Sequence, residues 1–277
     1  MRECVDLKGR VAWVTGSSRG IGSGVADYLA GCGAAVALHG TSPTSIRSLG
    51  EGDTLQAAAE SMARRHGVET AAVHGDLTDV ETVRRAAAAV RERFGVIDIL
   101  VNCAGGDIGA RGVSAPLAGK PEANDAVFVS LDDLRSVFER NLMTCIYCCR
   151  EIVPQMMERR AGRVINIGSI AALKGTESSV IYSTAKAAVH QYSRCLAIQL
   201  RGYDVTVNVV APGDIVTERW KASRDYDQAK MVEAGTLDRY GRVEEVARVV
   251  AFLASEAAGY VSGQVIRVDG GSQSWPC

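Results

Sequence analysis

Residues 10–22 read RVAWVTGSSRGIG. Four consecutive apolar residues, Val11 to Val14, show none of the alternation of a half-exposed strand, so they predict a strand buried on both faces, over Arg10–Thr15. A turn with three glycines follows at once, and then a helical segment near 21–32. Gly16, Gly20 and Gly22 in a strand-to-helix turn let the backbone come close to a pyrophosphate and let the helix pack against the strand. The N–H groups at the helix start are free to meet an anion. The spacing is GxxxGxG and departs from the commoner dinucleotide pattern GxGxxG.

The same rhythm continues along the chain. Short Val- and Ile-rich strands are expected at Ala34–His39, Glu69–His74, Ile97–Val101, Gly162–Gly168, Val205–Val210 and Gln264–Val268. Helices are expected near 53–66, 79–94, 131–160, 182–202 and 243–254. Strands alternating with helices indicate an α/β fold, a doubly wound parallel sheet of seven strands with helices on both faces. Two segments break the rhythm, the Gly-, Ala- and Pro-rich stretch near 106–130 and the charged stretch 212–240. Both are long for strand–helix connections. They read as loop excursions from a single domain spanning 1–277.

Composition narrows the function. The 277 residues carry 31 Lys and Arg against 32 Asp and Glu, a balance that favours neither nucleic acid nor an anionic membrane as a partner. The N-terminal stretch MRECVDLKGR has no apolar signal region, and no apolar run is long enough for a spanning helix, so a cytoplasmic location is expected. Eight cysteines are scattered through apolar segments. The run CIYCC at 145–149 has no second Cys or His cluster to complete a metal site, and no metal is expected; Cys145, Cys148 and Cys149 read as small side chains on a buried helix face.

Four residues stand out as chemistry. Tyr182 and Lys186 are four apart in IYSTAKAAVH, on one helix face, where an ammonium favours the phenolate. Ser169 follows a strand at the sheet edge where open α/β folds bind ligands. A hydroxyl there can donate to a carbonyl oxygen. Asn141 sits inside a long apolar helix, where a buried amide needs a specific partner. At the end of the second strand, ALHGTSPTS has no carboxylate to receive a ribose 2′-hydroxyl. Thr41, Ser42, Arg47 and Arg19 suit a 2′-phosphate, so NADP(H) is favoured, with NAD(H) as the alternative.

TGSSRGIG, Asp76–Leu77, NCAGG at 102–106, Asn141, Ser169, Tyr182-x-x-x-Lys186 and PGDIVT at 212–217 occur in that order. Across nearly its whole length the chain resembles the short-chain dehydrogenase/reductases, single Rossmann-type domains, and in a general way their 3-oxoacyl reductase members. The resemblance implies Tyr182 as general acid or base and Lys186 as the group that lowers its pKa and holds the nicotinamide ribose. It implies Ser169 as the group that polarises the carbonyl and Asn141 as the holder of a relay water. Gly16, Ser18, Arg19, Gly20, Ile21 and Gly22 would line the pyrophosphate turn. Asp76 and Leu77 would flank adenine, and Asn102, Ala104 and Gly105 would support the ribose. Pro212, Gly213, Ile215 and Thr217 would meet the nicotinamide. A homotetramer is implied, paired through helices 131–160 and 182–202, with Trp275 near the C-terminus packing rather than catalysing. Cys103 replaces the second Asn of the commoner NNAG.

The expected reaction is hydride transfer between nicotinamide and a ketone or secondary alcohol, in the direction of carbonyl reduction. Sugar or polyol oxidation is the alternative, since the same signatures serve both. Arg219, Lys221 and Arg224 near Trp220 make a cationic loop that would suit an anionic substrate. A nucleotide sensor without chemistry would have little use for Asn141, Ser169, Tyr182 and Lys186 together. An isomerase or dehydratase with tightly held cofactor shares all of these features.

Overall fold

The computed structural model describes residues 5–273. Seven parallel strands form one sheet: β1 Val11–Val14, β2 Ala35–Gly40, β3 Thr70–His74, β4 Ile99–Asn102, β5 Gly162–Ile167, β6 Val205–Pro212 and β7 Val265–Val268. Their order across the sheet is β3-β2-β1-β4-β5-β6-β7. The direction of winding reverses between β1 and β4, whose register sets Trp13 beside Leu100. Crevices at such reversals are where open α/β sheets bind ligands.

Among the described residues eight α-helices join the strands: α1 Gly20–Gly31, α2 Leu55–His66, α3 Val80–Phe94, α4 Leu131–Phe138, α5 Thr144–Arg159, α6 Val180–Leu200, α7 Glu218–Ala222 and α8 Val243–Ala254. Side chains alternate across a strand, so each strand feeds two cores. Ala12 and Val14 pack with Val25 and Leu29 of α1, Leu55 of α2 and Val250 of α8. Trp13, one residue between them, packs on the other face with Val83 of α3, Ile152 of α5 and Leu196 of α6. This explains the unalternating VAWV: with helices on both faces, neither side of β1 can be polar. Cys145, Cys148 and Cys149 belong to the second core. Each fully buried large aliphatic side chain stabilises the fold by about 1.5–3 kcal/mol.

Polar residues set the helix starts. Thr54 accepts from the Ala57 N–H, Asp79 from the Glu81 and Thr82 N–H groups, and Ser130 from the Asp133 N–H. The expected helix 131–160 is present as an unbroken helical run over 131–159, but it is not α-helical throughout. A π-helical turn at Glu139–Met143 separates α4 from α5. The cause is Asn141, whose Nδ2 donates to the Val137 carbonyl at 2.8 Å and to the Gly106 carbonyl at 2.9 Å, drawing the turn toward another segment. The 212–240 stretch, read as loop, contains α7, because Thr217 caps it by accepting from the Trp220 N–H at 3.1 Å. Among the described residues no helix is long and apolar enough to cross a membrane. The C-terminal residues 274–277, including Trp275, lie outside the described residues.

The 106–130 excursion has no regular element beyond a single 3-10 turn at Pro116–Gly119, where Leu117 and Ala118 take positive φ. It is pinned instead by side chains. Asp107 accepts from Asn124 Nδ2 and from the hydroxyl of Ser179, the residue before α6. Arg219 of α7 donates to the Asp107 carbonyl at 2.6 Å. The excursion therefore forms a wall against both α6 and the 212–240 segment.

Candidate active site

A cleft of about 510 Å³ opens at the C-terminal edge of the sheet. The glycine turn after β1 forms one end. Gly16 and Gly20 have φ of +64° and +56°, which only glycine adopts without strain. A Cβ on Gly16 would lie 2.7 Å from the Ala104 Cα, and one on Gly22 would run into the Gly16 carbonyl. The turn must stay bare for the helix to pack and for anything to approach its backbone. Gly16, Ser18, Arg19, Gly20, Ile21 and Gly22 all line this end. Thr41, Asp76, Leu77, Ala104 and Gly105 line it further on. Asp76 turns its carboxylate to the Thr78 N–H and hydroxyl, which leaves Leu77, itself buried, as the flat surface beside it.

Two residues that the sequence does not mark shape this end. His39, at the end of β2, is 2 % exposed. Its Nδ1 accepts from the Gly16 N–H at 3.1 Å and its Nε2 faces the Gly75 carbonyl at 3.0 Å, so the proton sits on Nε2. Burial drives its pKa down to about 4. A neutral imidazole thus holds the glycine turn. Glu51 comes from the connection after β2, and its Oε2 accepts from the Gly20 N–H at 3.0 Å. A carboxylate already occupies the first free N–H of α1, as the helix dipole favours.

The cationic groups expected near the adenine side divide. Arg19 lines the cleft, with its guanidinium donating to the Ser45 carbonyl at 2.9 Å and to the Ser48 hydroxyl. Arg47 instead donates to the Asp53 carbonyl on the exposed surface and does not line the cleft. Ser42 does not line it either.

At the other end, three side chains converge. Ser169 follows β5 and lines the cleft with Tyr182 and Lys186 of α6. Burial raises the Tyr182 pKa above that of a free phenol; the hydrogen bond with Ser169 and the charges of Arg219 and Arg224 oppose this, and Asp107 adds to it. Lys186 is 4 % exposed, and its Nζ donates to the Ile167 carbonyl at 2.8 Å. It also lies 5.9 Å from the Tyr182 ring centroid. Burial lowers its pKa, opposed by Cys103 and Cys145.

His190, one turn beyond Lys186, is a third residue on that face. The Ser169 N–H donates to its Nε2 at 3.4 Å. Burial, with Lys186 and Arg194 nearby, depresses its pKa to about 4, so it stays neutral and accepts. The i, i+4, i+8 spacing of Tyr182, Lys186 and His190 was the legible signal for it.

Asn141 and Asn102 stand behind the wall rather than in it. Asn141 Oδ1 accepts from the Gly106 N–H at 2.9 Å, so this amide clamps the backbone that follows β4. Asn102 donates to Asn166 Oδ1 at 2.8 Å and to Cys149 Sγ. Pro212, Gly213, Ile215 and Thr217 line the cleft beyond β6. The loop cation Lys221 pairs with Glu218 and faces away, whereas Arg219 and Arg224 line the cleft.

The arrangement fits a dinucleotide: a bare glycine cradle at a helix N-terminus at one end, and a phenol, hydroxyl and ammonium at the other. Comparison with known proteins agrees. A family model described as enoyl-(acyl carrier protein) reductase matches residues 16–273. The 2,3-dihydroxy-2,3-dihydro-p-cumate dehydrogenase of Pseudomonas putida is 34% identical over 275 residues, 98% of this chain and 97% of that one. The 3-oxoacyl-[acyl-carrier-protein] reductase of Aquifex aeolicus is 35% identical over 269 residues, 96% of this chain and 98% of that one. The structure of a 7α-hydroxysteroid dehydrogenase, complexed with NADH and 7-oxo glycochenodeoxycholic acid, superposes with a TM-score of 0.80 at 27% identity, covering 96% of this chain and 95% of that one. The glycine cradle, the Ser169–Tyr182–Lys186 convergence and these full-length matches together establish that the chain belongs to the short-chain dehydrogenase/reductase family, as an NAD(P)-dependent oxidoreductase acting on a ketone or secondary alcohol.

Proposed function

We propose that the protein reduces a carbonyl with NADP(H), using Tyr182 as the general acid. The observation that carries this reading is the convergence of Ser169, Tyr182 and Lys186 at one end of a cleft whose other end is the glycine cradle. The bound nicotinamide supplies or accepts the hydride. Ser169 and Tyr182 offer two hydroxyl donors to one oxygen atom, so negative charge developing there is met by both. Burial keeps the phenol protonated, the form that reduction consumes. Lys186 sits beneath Tyr182, where its ammonium would favour the phenolate left after proton transfer and would bind the nicotinamide ribose. Asn141, clamped to Gly106, would hold the Gly105–Gly106 backbone in place and with it the water that passes a proton to Lys186. In oxidation each step runs backward, with Tyr182 as base.

Thr41 and Arg19 in the cleft support NADP(H), since β2 ends without a carboxylate. NAD(H) remains the alternative, and the nearby Glu51 carboxylate favours it. The working unit in this reading is the whole chain, 1–277, as one domain in a cytoplasmic homotetramer. Exposed Leu131 on α4 and Ile198 on α6 support pairing through that side, and sedimentation velocity reads the assembly directly.

A second reading is oxidation of a diol or polyol. It is favoured by Asp107 Oδ1, a buried acceptor with no donor at the reaction end of the cleft, and by the dihydroxy compound in the name of the Pseudomonas relative.

The test of the catalytic assignment is Tyr182→Phe. Turnover of any ketone or alcohol that the wild type accepts should fall by at least about three orders of magnitude, with cofactor affinity within twofold. A variant that keeps a tenth of its activity would refute the role of Tyr182.

A further inference from the structure

The reaction end of the cleft carries more positive charge than it neutralises. Lys120, Arg219 and Arg224 all line it. Arg224 pairs with Asp214 at 2.6 Å and lies over the Trp220 ring, so that charge is matched. Arg219 is different. Its Nη2 donates only to neutral oxygens, the carbonyls of Asp107 at 2.6 Å and Ala118 at 3.3 Å. Its Nε is buried with no acceptor. Lys120 is half-buried, and its ammonium makes no hydrogen bond or ion pair among the described residues; it feels Asp107 and Asp214 only at longer range. Asp107 is the one carboxylate left to balance these two cations, and one of its oxygens is already taken by Asn124 and Ser179.

These groups lie about the reacting phenol, and Arg219 also senses Arg19 of the glycine turn. Tyr182 senses Arg219, Arg224 and Asp107, and Lys120 senses Arg219 and Arg224. They also come from different segments, Lys120 from the 106–130 excursion and Arg219 from α7. Two partly buried cations, neither ion-paired with Asp107, leave a place for an anion, and a guanidinium fork beside an ammonium matches a carboxylate.

We propose that the substrate carries a carboxylate, held by Arg219 and Lys120 while Tyr182 and Ser169 address its carbonyl or hydroxyl, so that the protein acts on keto acids and hydroxy acids. This rests on the reading of Tyr182 as the acid. The carboxylate is unchanged in the reaction: the carbonyl carbon gains the hydride, and its oxygen gains the Tyr182 proton. The excursion then has a role, since it brings Lys120 to the cleft.

The experiment compares 2-oxobutyrate, acetoacetate and levulinate with their methyl esters, both as substrates with NADPH and as ligands of the NADP⁺-saturated protein by calorimetry. At least one acid should exceed its ester about tenfold in kcat/KM and in affinity. Lys120→Met should lower that acid-to-ester ratio about tenfold, Lys120→Arg should restore it, and Arg219→Lys should lower it while keeping the charge that holds the excursion. Esters turned over as well as acids, no acid bound, or a ratio unchanged in Lys120→Met would each overturn the proposal. So would a tenfold loss of NADPH affinity in Lys120→Met with the ratio unchanged, which would assign the cation to the cofactor. Acids that bind in a Lys120-dependent way without turnover would uphold the carboxylate site and refute the catalytic reading instead.

Discussion

The carboxylate of Asp107 accepts a hydrogen bond from the hydroxyl of Ser179 at 2.7 Å, joining the residue after the β4 glycines to the residue before α6. Asn124 donates to the same oxygen at 2.8 Å, so one carboxylate gathers the excursion and α6. Because Asp107 also raises the Tyr182 pKa, Asp107→Asn should move the rising, acid-side limb of an alcohol-oxidation pH profile to lower pH. Asp107→Ala should destabilise the protein by about 1–3 kcal/mol, since two half-buried donors lose a charged acceptor. A kcat/KM profile and a thermal melt check the two effects, and an unmoved profile would show that Asp107 does not act on the phenol.

Ser169 is aimed from behind. Its N–H leans on His190 Nε2, and its Oγ accepts from the Ala171 N–H at 3.1 Å, so the hydroxyl proton is left to point toward Tyr182. His190→Ala should lower kcat about tenfold, roughly 1.4 kcal/mol, with a smaller change in KM. Ser169→Ala should cost about a hundredfold or more. If His190→Ala also loses the cofactor, the histidine is holding β5 as a whole and not Ser169.

A pyrophosphate held at the α1 N-terminus, as proposed, would compete with Glu51 for the Gly20 N–H. Glu51→Gln removes a negative charge from a helix N-terminus where a more highly charged anion has to sit. NADPH and NADH should both bind about three- to tenfold tighter, near 1 kcal/mol, by fluorescence titration. A selective gain for NADPH would show that Glu51 reads the 2′ position.

His39 and His190 are buried neutral, each with a pKa of about 4 against an ordinary value near 6.5. The unfolded chain therefore binds more protons than the folded one between those values. Stability is complete above about pH 6.5 and is lost as pH falls toward 4, by up to about 3 kcal/mol for each ring. Urea melts at pH 7, 5.5 and 4.5 should show this slope. His39→Gln should flatten part of it, because an amide can still accept from Gly16 and donate to Gly75 without taking up a proton.

The architecture was readable because its signals are local. An unalternating strand such as Val11–Val14 requires helices on both faces, and the glycine turn after it requires a close helix. Both hold whatever the distant residues do. That Tyr182, Lys186 and Ser169 line one cleft was likewise expected from spacing within one helix and at one strand end. Strand bounds shifted by a residue or two, since β6 runs on to Pro212 and β4 to Asn102.

What only the tertiary structure decided depends on segments far apart in sequence. No pattern places Glu51 on the Gly20 N–H or Asp107 against Ser179, and none could say that Arg47 would face solvent while Arg19 faced the cleft. The π turn at Asn141 exists because its amide reaches Gly106, 35 residues earlier. Lys120 gave no sign of function in a Gly- and Pro-rich loop, and it lines the cleft only because Asp107, Asn124 and Arg219 tie that loop down. Helix and strand periodicity follows from backbone geometry and is written into neighbouring residues; charge balance in a cleft is a sum over side chains that only folding brings within a few ångströms.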